Sequence, residues 1–170
     1  MPTAQTHSST ARSSSRRTKA DAIKLLKADH AEVKKLFAQY DKLAKTGAPS
    51  AERSHCAGEI CDKLTVHATI EEEIFYPAAR EALGAGHDLV DEADVEHASA
   101  KELIAQIQAS DPGDDRYDAK VKVLGEYIAH HVKEEQNQMF PKLSKKLDMA
   151  SLGEQLQARK AELMESLAMH

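Results

Sequence analysis

Four stretches of this chain repeat an apolar residue every three or four positions, and one histidine interrupts each repeat. They run through Ile23, Leu26, His30, Val33 and Phe37; Ile60, Leu64, His67, Glu71 and Ile74; Leu89, Ala93, His97, Ala100, Ile104 and Ile107; and Val121, Leu124, Ile128, His131, Glu135 and Met139. A helix returns to the same side at such intervals, so each stretch reads as the buried stripe of an amphipathic α-helix. Helix-on-helix packing is what remains open to the chain. KTGAPS at 45–50, GAG at 84–86 and SDPGD at 110–114 separate the stripes, and their Gly and Pro residues do not favour continuing a helix. Short connections make consecutive helices antiparallel neighbours, so the expected fold is an all-α, up-down-up-down four-helix bundle. The first helix should end near Ala44. The second should follow a Ser50 cap and run from about Ala51 to Phe75, with Pro77 kinking or ending it.

Composition sets the boundaries. Residues 1–19 (MPTAQTHSSTARSSSRRTK) are rich in Ser, Thr and Arg and nearly empty of large apolar groups, which reads as a disordered tail. The bundle is assigned to 20–145. A fifth helix is expected over 148–168, with Leu152, Leu156, Leu163 and Leu167 along one edge and Ser151 with Glu154 as a capping box; it would pack on the bundle or make a homodimer contact, so monomer and dimer both stay open. At 170 residues and 41% hydrophobic, the chain can bury a core without needing a metal or disulfide to fold. The net charge is −5, and the first 20 residues hold four basic side chains and no acid, leaving −9 on the rest. Such a body repels nucleic acid, and no specific nucleic-acid partner is expected. Cys56 and Cys61 form neither a CxxC pair nor a disulfide framework, and no apolar run reaches the length of a membrane span. A reducing, cytoplasmic location without membrane attachment is the expectation.

One histidine on a core face is ordinary, but one on each of four helices points to a metal site. Glu71 and Glu135 follow His67 and His131 by four residues, about 6 Å farther along the same face. Two buried carboxylates with no Lys or Arg in the stripes are unfavourable unless cations compensate them. A pair of ions bridged by both glutamates would do so. Nitrogen and oxygen ligands suit iron, manganese or zinc and exclude a sulfur cluster. No HExxH pair, EF-hand loop or Gly-rich phosphate loop is present. Glu72, Glu73 and Glu134 read as a solvated acidic face or as groups orienting a ligand imidazole. His7, His55, His87 and His170 read as exposed, Cys56 and Cys61 as packing, and Met139 as a gap filler. Phe37, Tyr40 and Phe75 read as core packing that would also keep water from the centre.

LLKADHAEVKKLF around His30, HATIEEEIFYP from His67, EHASAKEL around His97 and HHVKEEQNQMFP from His130 resemble the hemerythrin-like, or HHE cation-binding, domains over residues 23–143. The resemblance implies a bundle holding a non-haem, oxo- or hydroxo-bridged pair of iron ions, with manganese or zinc as alternatives. By it, the metal ligands are His30, His67, Glu71, His97, His131 and Glu135. It further implies a small oxidant such as dioxygen, peroxide or nitric oxide as partner, for sensing, scavenging or storage, and any enzymatic activity would be di-iron redox chemistry. Iron handling or iron-centre repair is an alternative, as is a stress-response interaction module with a structural metal. Oxygen carriers of the family have a second histidine one turn before the third-helix histidine, where this chain has Ala93. Glu96, water or a small anion would fill that place, which speaks against oxygen transport. His130 matches the five-residue spacing to Glu135 of some members and His131 the four-residue spacing of others; the stripe through Leu124 and Ile128 selects His131 and leaves His130 as an outer-lying or surface residue.

Overall fold

The computed structural model describes residues 19–170 and is all α-helical over them. The expected disordered tail lies outside those residues except for its last member, Lys19, and His7 lies outside them too. Helix α1 spans Ala22–Lys45, α2 Ser50–Ile70, α3 Tyr76–Leu83, α4 Asp88–Ala109, α5 Tyr117–Glu134, α6 Phe140–Leu143 and α7 Met149–Ala168. A π-turn at Glu71–Phe75 joins α2 to α3, and another at Glu135–Met139 joins α5 to α6, so each pair is one long rod of the bundle. The rods pack α1 on α2 and α5, and α4 on α2 and α5, which closes the up-down-up-down ring.

Pro77 does not end the second rod, which continues to Leu83. A proline has no N–H to donate and its ring presses on the carbonyl four residues back; the wider π-turn just upstream absorbs both problems. Pro141 sits in the same relation to the second π-turn. Two expected caps also differ. Pro49 occupies the N-cap of α2 with no side-chain hydrogen bond, and α7 begins at Met149 behind Asp148, whose carboxylate accepts from the Ser151 N–H at 3.0 Å. A carboxylate next to the exposed amides of a helix start does the capping that was expected of the Ser151 hydroxyl.

The apolar interior divides into two parts. One contains Leu26, Ile70, Phe75, Tyr76, Val90, Met139, Phe140 and Leu143 and receives Leu152 and Leu156 from α7. The other contains Val33, Tyr40, Ile60, Leu64, Ile104, Val121 and Leu124. Helix α7 lies on α1 and α2 of its own chain. Gly153 makes that approach possible, because a Cβ there would stand 2.7 Å from the Asp21 backbone nitrogen. Each long rod crosses from one apolar part to the other at its histidine, and the polar residues fill the seam.

Candidate metal centre

His30, His67, His97 and His131 point into that seam from α1, α2, α4 and α5, and Glu71 and Glu135 join them from the first positions of the two π-turns. All six are buried, and Glu71 is fully sealed from solvent. The Nε2 atoms of His30 and His67 are 3.1 Å apart, and those of His97 and His131 are 3.2 Å apart. The glutamates lie between the two pairs. Glu71 turns Oε1 to His67 Nε2 at 3.0 Å and Oε2 to His97 Nε2 at 3.2 Å. Glu135 turns Oε1 to His30 Nε2 at 3.2 Å and Oε2 to His131 Nε2 at 3.3 Å. Each carboxylate thus offers one oxygen to each histidine pair.

The outer nitrogen of every ring meets an acceptor: His30 Nδ1 meets Gln136 Oε1 at 2.8 Å, His67 Nδ1 meets Asp29 at 3.1 Å, His97 Nδ1 meets Glu72 at 2.9 Å, and His131 Nδ1 meets Glu96 at 2.6 Å. These partners assign the ring proton to Nδ1 and leave Nε2 as an inward lone pair. Lys160 of α7 bonds to the outer oxygen of Asp29, and Lys101 bonds to Glu72 at 2.5 Å. Glu96 is therefore not in the place left by Ala93; it holds His131 from outside. Glu72 likewise positions an imidazole rather than joining a purely solvated face, and Glu73 pairs with Arg159 at 2.7 Å.

A residue absent from the apolar stripes completes the inner group. The Tyr76 hydroxyl donates to Glu135 Oε2 at 2.7 Å and stands 3.2 Å from Glu71 Oε2, 3.2 Å from His97 Nε2 and 3.4 Å from His131 Nε2. In a regular helix, residues five apart face different sides; here the Tyr76 N–H bonds to the Glu71 carbonyl around the π-turn, which stacks Tyr76 beneath Glu71. A signal for it does exist in the sequence. His67, Glu71, Tyr76 and Pro77 share their spacing with His131, Glu135, Phe140 and Pro141. Phe140 stacks on His30 with ring centroids 6.1 Å apart, so only the first copy brings an oxygen to the centre. Of the expected shielding aromatics, Phe75 packs edge-on against Phe140 beside the site, whereas the Tyr40 hydroxyl turns away to Asp118 at 2.6 Å.

Whether these donors suit a cation can be judged from the buried oxygens. Glu71 Oε1 and Glu135 Oε1 accept no hydrogen bond, although His67 and His30 stand beside them, because the facing nitrogens present lone pairs. Lone pair against lone pair at 3.0–3.3 Å is repulsive unless protons or metal ions intervene. Without metal the site draws protons. Burial opposes a charged His67, but the negative charge of Glu71, the Asp29 carboxylate at its Nδ1 and the charge of Glu135 outweigh it and raise its pKa to about 10. Against the same burial, Glu135, Glu71 and Glu96 raise His131 to about 9. Glu71 is held well below the ordinary carboxylate range: burial alone would raise it, and His67 and His97 overcome that. The donor set fits two ions of the iron, manganese or zinc type. His30, His67, Glu71 and Glu135 form one group and Glu71, His97 and His131 a second, the donor atoms within each lying inside 4.8 Å of one another.

On one side of the four imidazoles lies a cavity of about 30 Å³ walled mainly by Val33, Leu64, Ala68, Ala100, Ile104, Ile128 and Val132, with Asp29 and Lys101 also in its lining. His30, Ile128 and Val132 also line a much larger groove of about 740 Å³ between α1 and α5. Among the described residues no helix is long and apolar enough to cross a membrane.

The model of the hemerythrin HHE cation binding domain matches residues 21–143. A DNA nickase of Nostoc sp. is 30% identical over 118 residues, which are 68% of this chain but 31% of that much longer protein. The crystal structure of a hemerythrin HHE cation binding domain-containing protein from Mycobacterium kansasii superposes with a TM-score of 0.72 at 23% identity, over 86% of this chain and 88% of that one; it shares the fold.

Proposed function

Given that this chain belongs to the hemerythrin HHE cation-binding family, we propose that it holds two iron ions and uses them to bind and reduce a small oxidant of the size of dioxygen, peroxide or nitric oxide. The observation that carries the reading is the small, mostly apolar cavity facing the four histidines. Its 30 Å³ exceeds the roughly 10–15 Å³ that one water-sized sphere occupies, so it has room for a small molecule beside the histidines. Its mostly hydrocarbon walls hold water weakly and suit a weakly polar diatomic. The histidines and glutamates would be the ligands: His30 and His67 to one ion, His97 and His131 to the other, Glu71 and Glu135 to both, with the Tyr76 oxygen available at the His97/His131 position.

Bound iron supplies electrons to the oxidant and an open coordination position. The protein's part is positioning and exclusion. Asp29, Glu72, Glu96 and Gln136 fix each ring by its outer N–H and so aim each Nε2 inward. Tyr76 is the one hydroxyl donor in the inner group, holding a proton on Oη against Glu135. His30, Ile128 and Val132 line both the cavity and the α1–α5 groove, from which a small apolar molecule would enter.

The test is the metal content of the purified protein together with the visible spectrum of its reduced, iron-loaded form on mixing with oxygen or hydrogen peroxide. Two irons per chain and an oxidant-dependent band support the reading. A chain that takes up no iron, or an iron-loaded sample whose spectrum is indifferent to both oxidants, refutes it.

A further inference from the structure

The chain carries a second set of histidine and glutamate ligands one residue out of register with the first. HHVKEE at 130–135 contains two overlapping His-x-x-x-Glu pairs, His131 with Glu135 and His130 with Glu134, and on α4 Glu96 directly precedes His97. Neighbouring residues on a helix point about 100° apart, so while the inner members face the centre, the outer members meet along the α4–α5 seam. His130 Nε2 lies 3.5 Å from Glu134 Oε1 and 3.6 Å from Glu96 Oε1, and donor atoms of all three residues fall within 4.8 Å of one another. Among the described residues, no lysine or arginine pairs with Glu96 or Glu134.

Two further observations tie this cluster to the centre. Glu96 belongs to both: one oxygen faces His130 and the other accepts from His131 Nδ1 at 2.6 Å. Behind the cluster is a separate cavity of about 10 Å³, lined by Glu96 and Glu134 from the outer set and by His131 and Glu135 from the inner one, with Leu89, Ala93 and Met139 completing it. It has room for about one water-sized sphere. The methyl of Ala93, one turn before His97, stands in that lining where a larger side chain would fill the space.

We propose that Glu96, His130 and Glu134 form a third cation site, specific for a divalent ion of the iron, manganese or zinc class, and that the cavity behind it leads such an ion to His131 and Glu135. One nitrogen and two or more carboxylate oxygens suit that class. The His130 side chain is 62% exposed, so water completes the coordination and the ion exchanges more readily than one in the sealed centre. The outer site stands on its own residues, whereas its role as an entrance rests on the two-ion reading of the centre.

Two measurements on the full chain test this. Protein loaded with two ions per chain is titrated with Zn²⁺ by calorimetry: one additional, weaker ion is expected, with at least tenfold loss of its affinity in His130→Ala and Glu134→Gln and no loss of the two inner ions. Anaerobic Fe²⁺ uptake by metal-free protein, followed with a chromogenic ferrous chelator, should be several-fold slower in both variants yet reach the same final content. Both side chains are at the surface rim, and far-UV circular dichroism checks that the variants keep the fold. Loaded wild-type protein that takes no additional ion overturns the outer site, and wild-type uptake rates in both variants overturn the route. Wild-type protein that binds no ion in the centre overturns instead the reading of the centre.

Discussion

Glu71→Gln should lower stability in both the metal-loaded and the metal-free protein, for different reasons. The glutamate is fully buried and gives one oxygen to each histidine pair, at 3.0 and 3.2 Å. The amide keeps the volume but replaces one oxygen by an NH₂ group and removes the charge, so each metal position loses a carboxylate donor. Metal present at a hundredfold excess over its dissociation constant stabilises the fold by about 2.7 kcal/mol per ion. In a domain of this size that corresponds to a melting-temperature increment of roughly 5–10 °C. Losing even one ion should erase an increment of that order. In metal-free protein the same change removes the buried carboxylate that raises His67 and leaves the imidazole either unpaired or stripped of its proton, so a loss of roughly 1–3 kcal/mol is expected there as well. Melting curves at pH 8 with and without Fe²⁺, paired with metal analysis by mass spectrometry, read both effects. If the variant retains two ions and the wild-type metal increment, Glu71 is not a bridging ligand; if the metal-free variant is as stable as the metal-free wild type, Glu71 does not hold a proton on His67 in the folded state.

Metal-free protein should also lose stability as pH rises. His67 and His131 are raised to about 10 and 9 from 6.5 in the folded state, so their contribution is complete below pH 6.5 and disappears as pH climbs through 9 and 10; urea midpoints across pH 6–10 should fall, and a flat profile would contradict the protonated site. For the same reason, loading metal at pH 7 should release protons, detectable with a weakly buffered indicator. Tyr76→Phe removes the one hydroxyl donor in the centre and should weaken the ion at the His97/His131 position more than its partner, giving chains with close to one ion after chelator challenge, whereas simultaneous loss of both would refute an unequal pair. Gly153→Ala places a methyl 2.7 Å from the Asp21 nitrogen and should destabilise the fold by roughly 1–3 kcal/mol, measured by urea unfolding; an unchanged midpoint would mean that α7 is not closely docked.

The helices and their inward faces follow from the sequence because periodicity is a local property: an apolar residue every three or four positions buries one face whatever it packs against. His30, His67, His97 and His131 lay on those faces and meet in the fold, and the stripe that preferred His131 to His130 agrees with the core-facing ring. Tyr76 escaped because the π-turn at Glu71–Phe75 breaks the 3.6-residue count that places side chains by spacing. Only the packed fold decides that Tyr76 stacks beneath Glu71. Tertiary packing also decides which oxygen of each glutamate serves which histidine pair, that Glu96 holds His131 from outside, and that Lys160, 131 residues from Asp29, reaches it from α7. Those are contacts between rods, fixed by how the apolar faces interlock, and no pattern confined to one helix contains them.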